Sequence, residues 1–505
     1  MTDTFHLAAL AERSYERHGD YPSLWFEGDW HSSRDQHERA CRVAGGLAAS
    51  GIEPGDRVVV MAANCPEVPI AYTAAWRVGA VVTPAIFLLT HEELRHVLVD
   101  SGAKAVVTSP DLLSTVRAAA ADAGLPLVVS TGDGDEGIVP FAELEAAEPL
   151  GIVPREPSDL AALMYTGGTT GRAKGVMLSH ESLWRAGDAA QRVGHVPGVT
   201  RGLGSLPLSH AFGLLVTVVG LHQPEPGVAV LMRWFQPGVW LELAQEHRVQ
   251  ASAVVPSMIQ LLLGEPLEDY DLSELRYLAS GGAPLPVEVA EELERRLPHV
   301  EVREGYGLTE TGAILTASAP GKTRRGAVGT PVPGVELRIL DDADGEVPVG
   351  EVGEICARSP MLMRGYWRSP ETTEDAMRGG WFHTGDLGRI DEDGYVYVVD
   401  RKKDLIIRGG FNVFPRDVEE ALLEHPEIAA AGVVGRPDAA HGEEVVAFVE
   451  LRPGATATAE ELVAFGKERL GGYRYPREIH IVAALPLTAV GKVDRKVLRA
   501  RAAGP

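Results

Sequence analysis

Cysteine is scarce in this chain of 505 residues, with only Cys41, Cys65 and Cys356 present. An odd number without C-x-x-C spacing argues against both a disulfide framework and a structural zinc site. Long apolar runs are missing too, the longest candidate lying near Leu214 to Leu221, so no stable membrane insertion is expected. The stretch from Met1 to Gly19 carries Asp3, Glu12, Arg13, Glu16 and Arg17 without an uninterrupted apolar core. No signal peptide is evident there, and a cytoplasmic location is the expectation. Positive charge is in deficit: 47 lysines and arginines face 71 aspartates and glutamates, a formal net charge of -24. A nucleic-acid partner, which needs a basic footprint, is therefore not expected. The deficit is uneven, because from Arg401 onward the two signs about balance. A polyanionic small molecule would have to be recruited by local positive charge. There is also no G-x-S-x-G elbow, which removes one common route to a serine nucleophile.

What the chain does contain is ordinary globular material, 45% hydrophobic and 23% charged, in a length that calls for two or more domains. The first 150 or so residues alternate helix signals with short apolar strands. Ala40 to Ser50 reads as a helix, Arg57 to Met61 as a strand, and Pro69 to Val78 as a helix before a strand near Ala80 to Thr83. Thr90 with Glu93 predicts a capping box for a helix ending near Gly102, followed by the strand Ala105 to Thr108. Strands that are apolar throughout imply parallel sheets covered on both faces, hence an α/β fold. The alternation resumes with Ser179 as an N-cap and Ala251 to Val255 as a strand ended by Pro256. After about Arg324 the texture turns to hairpins, with strands at Glu336 to Leu340, Gly353 to Arg358 and Tyr395 to Val399. The acidic runs Asp341 to Gly345 and Asp391 to Gly394 lack EF-hand spacing and read as hairpin turns. From Arg401 a compact α+β unit follows, with Pro415 opening a helix to Leu423, strands at Ala429 to Val434 and Val445 to Leu451, and a helix from Ala459 to Leu470. The expected division is 1–400 and 401–505, a large layered α/β domain with a β-rich subdomain, then a small mobile domain.

The segment Tyr165 to Val176 reads Y-T-G-G-T-T-G-R-A-K-G-V. Glycines let backbone N–H groups face an anion, Thr166, Thr169 and Thr170 add hydroxyls, and Lys174 adds charge. It is not a Walker A loop, since Lys174 leads into the apolar run Gly175 to Leu178 and so into a strand rather than a helix. The Gly-Lys-Thr at Gly321 to Thr323 has Thr316 where the leading glycine would stand. Further motifs follow: Y-G-L-T-E-T-G at Tyr306 to Gly312, W-F-H-T-G-D at Trp381 to Asp386, D-R-K-K-D at Asp400 to Asp404, and the terminal Gly491-Lys492.

In this order, over nearly the whole chain, these motifs resemble those of the adenylate-forming superfamily of acyl-CoA synthetases, peptide-synthetase adenylation domains and beetle luciferases, with acyl-CoA synthetases the nearest likeness. Gly167 stands where many relatives have serine, and Ala173 replaces a frequent proline. The resemblance implies that a carboxylate attacks the α-phosphate of ATP, giving acyl-AMP and pyrophosphate, before the acyl group passes to coenzyme A. The nucleophile is already ionised at neutral pH, so the chemistry calls for alignment and charge neutralisation rather than a general base. The resemblance assigns Thr166, Gly167, Gly168, Thr169, Thr170 and Lys174 to the ATP phosphates, Thr309 to the α-phosphate and Glu310 to Mg²⁺. It puts Tyr306 on the adenine, with Glu304, Gly305 and Gly307 also among the nucleotide-binding residues. Ser280, Gly281, Gly282 and Ala283 form a backbone wall beside base and acyl chain, and Asp386, near Arg401, meets the ribose. Lys492 would bridge the substrate carboxylate and phosphate, Asp400 would be the hinge, and the segment at Gly410 would meet the pantetheine arm. Bland readings stand beside these: Asp386 as a turn residue, Thr309-Glu310 as a helix cap, His210 as a turn residue rather than a catalytic one.

For the acid, the resemblance nominates His210, Phe212, Val255, Met258, Gly281 and Gly307 as pocket residues. They are apolar or small apart from His210, which favours a fatty or other apolar acid over an amino acid or dicarboxylate. An acyl-AMP ligase serving a carrier protein is the alternative acceptor reading, and a nucleotide-binding pseudoenzyme the alternative of another class.

Overall fold

The structure is a computed structural model that describes residues 5–166, 173–487 and 493–503. The chain forms two compact units, one of Met1–Glu336 with Ala357–Phe382 and the other of Leu337–Cys356 with His383–Pro505.

The larger unit contains an eight-stranded and a nine-stranded sheet. In the first, Arg57–Met61 lies parallel between Val81–Pro84 and Ala105–Thr108. Val58, Val59 and Val60 are all fully buried, which is why this strand reads as a continuous apolar run. Two of the predicted strands, Arg57–Met61 and Ala105–Thr108, have the expected bounds. The helix His91–Ser101 starts on a complete Thr90/Glu93 capping box and ends at Gly102 with φ 62°. The helix expected from Ala40 instead begins at Ser33, where the Ser32 hydroxyl accepts from Asp35 N–H. Its first two turns are largely polar, so apolar periodicity hid a start that the cap decides.

The nine-stranded sheet runs in parallel through Arg201–Gly204, Ala251–Val254, Tyr277–Ser280 and Glu301–Tyr306. Ser280, Val255 and Glu304 to Tyr306 therefore lie at or just beyond carboxyl ends of neighbouring strands, where open α/β sheets present their ligand crevices.

In the four-stranded antiparallel sheet of Glu336–Leu340, Gly353–Arg358, Phe382–Ile390 and Val396–Arg401, the acidic runs are hairpin turns, as expected. Asp341 Oδ1 accepts from the N–H groups of Ala343 and Gly345, each at 2.8 Å. Asp391 Oδ1 accepts from Asp393 and Tyr395. The rest of the smaller unit is a five-stranded sheet with the helices Pro415–Leu423, Ala459–Arg474 and Arg495–Ala502, and Pro415 occupies the first helical position. Its two long strands, Ile428–Asp438 and Gly442–Leu451, outrun their expected lengths, because cross-strand pairing carries polar ends that lack a strand pattern of their own. Among the described residues no helix is long and apolar enough to cross a membrane.

Helix Ser33–Ala49 comes so close to Phe141–Glu145 that a Cβ on Gly46 would lie 2.6 Å from Leu144 Cα and O. Glycine to alanine inside a helix ordinarily stabilises by about 1 kcal/mol. At Gly46 the sign reverses, since backbone cannot yield cheaply and overpacking costs about 1–3 kcal/mol. Gly46→Ala is expected to lower the urea unfolding midpoint of the larger unit. Gly220→Ala, where nothing lies within 4 Å, leaves it unchanged or raises it.

Candidate active site

The predicted phosphate loop joins two antiparallel strands, Leu160–Thr166 and Lys174–Ser179, whose last pair is Thr166 with Lys174. Gly167, Gly168, Thr169 and Thr170 lie outside the described residues. Both shoulders of the loop are tied to one helix: Tyr165 Oη donates to Asp100 Oδ2 at 2.6 Å, and the Ala173 carbonyl accepts from His96 Nε2 at 3.0 Å. Burial, and then the Asp100 carboxylate, push the Tyr165 phenol up, so it stays a donor.

Lys174 and Glu310 are brought together by a residue that the sequence reading missed. Gly365–Tyr366 pairs antiparallel with the Lys174–Ser179 strand. Lys174 Nζ lies 5.5 Å over the Tyr366 ring, and Tyr366 Oη donates to Glu310 Oε1 at 2.9 Å. The Glu310 carbonyl also accepts from Met363 N–H at 2.7 Å. Burial, then the charge of Glu310, push the Tyr366 phenol up and keep its proton available. Nothing in the motif spacing announces Tyr366, because its role depends on a strand pairing between segments far apart in the chain. Glu310, oriented by that phenol and adjoining Thr309, offers the hard oxygen donors that suit Mg²⁺, an ion that takes few protein ligands and keeps waters and phosphates. Thr309–Thr311 is a single 3₁₀ turn, and the capping hydroxyl is that of Thr311, which accepts from Leu308 N–H at 3.0 Å. Gly307 is required by the backbone itself: a Cβ there would meet the Ala313 carbonyl group and Ile314 N at 2.4 Å.

Part of the set nominated for the acid converges. A Cβ on Gly281 would stand 3.3 Å from Phe212 Cε1 and 3.4 Å from the Gly305 carbonyl oxygen, and one on Gly282 would be 3.6 Å from Val255 Cγ1. Gly282 has φ 80°, the left-handed region that favours glycine. Met258 sits one turn into the helix Pro256–Leu263, its sulfur 3.9 Å from Ser205 Oγ. Ser280 is buried at its strand end, and its hydroxyl has no hydrogen-bond partner among the described residues. Ala283, Glu304 and Tyr306 are half-buried. His210 does perform the turn role: its Nδ1 accepts from Phe212 N–H at 3.3 Å and caps the helix Ala211–Leu221, which places Phe212 in the first turn.

In the smaller unit Asp386 is a strand residue, 6% exposed, directly opposite Arg401. Its Oδ1 is 3.5 Å from Arg401 Nε, so Arg401 is close by as expected, and Gly385, in the same strand, has φ 72°. Asp400 is buried, and its two oxygens accept from the N–H groups of Arg401 and Arg416 at 2.7 and 2.9 Å. It therefore sits at the N-terminus of the helix Pro415–Leu423, where a carboxylate is favoured. Burial pushes its pKa up, against the pull of those N–H groups. Gly410, with φ 81°, and Gly409, with φ 59°, form the two-residue turn between Ile406–Arg408 and Phe411–Val413, with open space beside Gly410. Lys492 lies outside the described residues. Three positions on, Arg495 Nη2 donates to both carboxylate oxygens of Glu419, each at 2.8 Å.

Residues 11–367 match the AMP-binding enzyme family and residues 417–492 match the AMP-binding enzyme C-terminal domain. The chain is 35% identical to a long-chain-fatty-acid–CoA ligase of Bacillus subtilis, across 97% of this chain and 94% of that one. It is 37% identical to a feruloyl-CoA synthase of Amycolatopsis, across 92% of each. Its fold superposes on ATP-bound MatB of Rhodopseudomonas palustris with a TM-score of 0.90 and 33% identity, covering 98% of this chain and 99% of that one. Matched along its length in sequence and in fold, the chain belongs to the AMP-binding enzyme family, within the adenylate-forming superfamily that its motifs resemble.

Proposed function

We propose that this protein is an ATP-dependent acid–thiol ligase that converts an apolar carboxylic acid, fatty or aryl, to acyl-AMP and then to its CoA thioester. The observation that carries the reading is the grouping of Lys174, Tyr366 and Glu310 in the same unit as an apolar wall of Phe212, Val255 and backbone at Gly281 and Gly305. One group suits the phosphates of a nucleotide, the other an uncharged acyl or ring substituent. That wall includes no charged side chain, which disfavours a second carboxylate on the substrate. Family relatives that act on long-chain fatty and on feruloyl substrates support an apolar acid and leave both chain and ring in view.

In this reading the loop with Thr166, Gly167, Gly168, Thr169, Thr170 and Lys174 draws the outgoing phosphates away from the reacting phosphorus. Thr309 holds the α-phosphate, and Glu310 holds Mg²⁺, which supplies neutralising charge when bound. Asp386 and Arg401 hold the ribose, and Tyr306 lies against the base. Lys492 aligns the two anions, and its domain, taken as 401–505, turns about Asp400 so that the Gly410 face serves the thiol step. Aligning reactants and neutralising developing charge accounts for the rate without a general base.

Lys492→Ala should remove acyl-AMP formation by a factor on the order of 10² to 10³ while sparing thiol attack on preformed acyl-AMP. The two half-reactions are followed by acid-dependent pyrophosphate release and by thioester formation, and equal loss in both would sink the two-state reading. Tyr366→Phe removes one hydrogen bond to a charged group, and should slow adenylation by about 10- to 100-fold and raise the Mg²⁺ concentration needed for half-maximal rate. CoA-dependent AMP release across a panel of fatty and aryl acids tests the acceptor and the acid together. Transfer only to a carrier-protein thiol would replace CoA as the acceptor.

A further inference from the structure

A buried carboxylate that belongs to none of the roles above sits beside the residues assigned to the ribose. Glu354, in the strand Gly353–Arg358, is 4% exposed. Its Oε1 accepts from Gly385 N–H at 3.0 Å, and its Oε2 is 3.2 Å from His383 Nδ1 and 3.1 Å from Lys402 Nζ. Lys402 also pairs with Asp342 at 2.8 Å. With the ammonium beside it, the carboxylate is ionised, and the hydrogen bond to His383 requires the proton on Nδ1. Burial raises the pKa of Glu354, and the bonds from His383, Lys402 and Gly385 outweigh it and leave the group below the usual glutamate range.

Each partner of Glu354 flanks one of the two ribose candidates. His383 and Gly385 bracket the approach to Asp386, and Lys402 directly follows Arg401. The strand ladder is irregular here, with a register shift between Leu387 and Gly388 and Gly385 in the left-handed region. Asp386 itself stays paired with Arg401 just before that shift, and side-chain bonds add to what the ladder provides. Thr384 supplies some of them, donating to the Ile355 carbonyl at 2.7 Å and accepting from Asp386 N–H at 3.1 Å. A buried charge costs several kcal/mol unless each of its bonds is made, and an apolar residue in a β-strand would be cheaper than this one. Glu354, Cys356 and His383 could also be read as metal ligands, their donor atoms lying within 4.8 Å of one another. Lys402 and Gly385 already occupy the carboxylate, and an ammonium 3.1 Å away opposes a second cation.

We infer that Glu354 is the positioning residue of the nucleotide's ribose site: without touching the nucleotide, it clamps the His383–Gly385 stretch of the strand and Lys402 so that Asp386 and Arg401 face the ribose hydroxyls together. This rests on Asp386 being the ribose ligand. The test compares ATP with 2′,3′-dideoxyATP in acid-dependent pyrophosphate release by the full chain. The unmodified protein should prefer ATP, and Asp386→Ala should erase the preference. Glu354→Gln should lower kcat/KM for ATP on the order of tenfold and for the dideoxy nucleotide by less than about twofold, so that discrimination collapses mainly through KM. Lys402→Gln, at a side chain 37% exposed, should do the same to a lesser degree without the folding risk of a buried change. Equal losses for both nucleotides in the Glu354 and Lys402 variants, with Asp386→Ala behaving as stated, would make the cluster merely structural and overturn the inference alone. Discrimination that survives Asp386→Ala would overturn the ribose reading beneath it. One equivalent of a transition metal in elemental analysis of the purified chain would also overturn it, since the clamp leaves no place for a second cation.

Discussion

Carboxylates held away from water, each matched by a cation or by backbone N–H groups, are the tie points of the smaller unit. Asp400 joins the end of one strand to the start of the helix Pro415–Leu423. Glu419 on that helix grips Arg495, Asp404 takes Arg499 at 2.5 Å, and Glu354 takes Lys402 and the strand backbone at Gly385. A buried charge without its partner is far more costly than a lost surface pair, so each contact specifies one geometry rather than adding bulk stability. The segments just after Asp400 and just before and after Asp386 are thereby defined to within hydrogen-bond reach.

The larger unit solves its problem by different means. Its central strands, such as Arg57–Met61 and Ala105–Thr108, are buried on both faces, and its candidate site residues lie where strands end and backbone is brought close. Gly307 and Gly281 are sites of close approach in which a side chain would collide with the Ala313 carbonyl or crowd the Phe212 ring. Small residues there let backbone and ring approach closely, which no larger side chain would allow. The charged members come from separate sheets, Lys174 from the start of a strand and Glu310 from the turn after Glu301–Tyr306, and they meet through Tyr366.

Much of this was legible in the residues. Arg57–Met61 and Ala105–Thr108 read correctly because burial on both faces writes an uninterrupted apolar run. Thr90 with Glu93 read correctly because a capping box is a local reciprocal bond. The helix from Ser33 was half-missed, since its first turns are polar and one serine hydroxyl decides its start. The pairing of Asp386 with Arg401 was expected, yet its setting was not: Phe382–Ile390 is a nine-residue strand whose motif, W-F-H-T-G-D, looks like a turn. Tyr366 and Glu354 were not legible at all. Both act on residues many positions away, across strand pairings that no window of sequence displays.

Residue type and spacing by themselves determined the class of fold, the family and the kind of chemistry, because backbone geometry, capping and phosphate-binding composition are local and repeat within short windows. They also determined which side chains were candidates. Only the tertiary structure decided which candidates meet. Lys174 reaches Glu310 through Tyr366, His210 spends its Nδ1 on a helix cap, and Asp386 faces Arg401 beside a carboxylate that the motifs never named. Charge–charge and hydrogen-bond terms fall off within a few ångströms, so their partners are set by which strands the fold lays side by side, and that choice is made by the burial of the whole core.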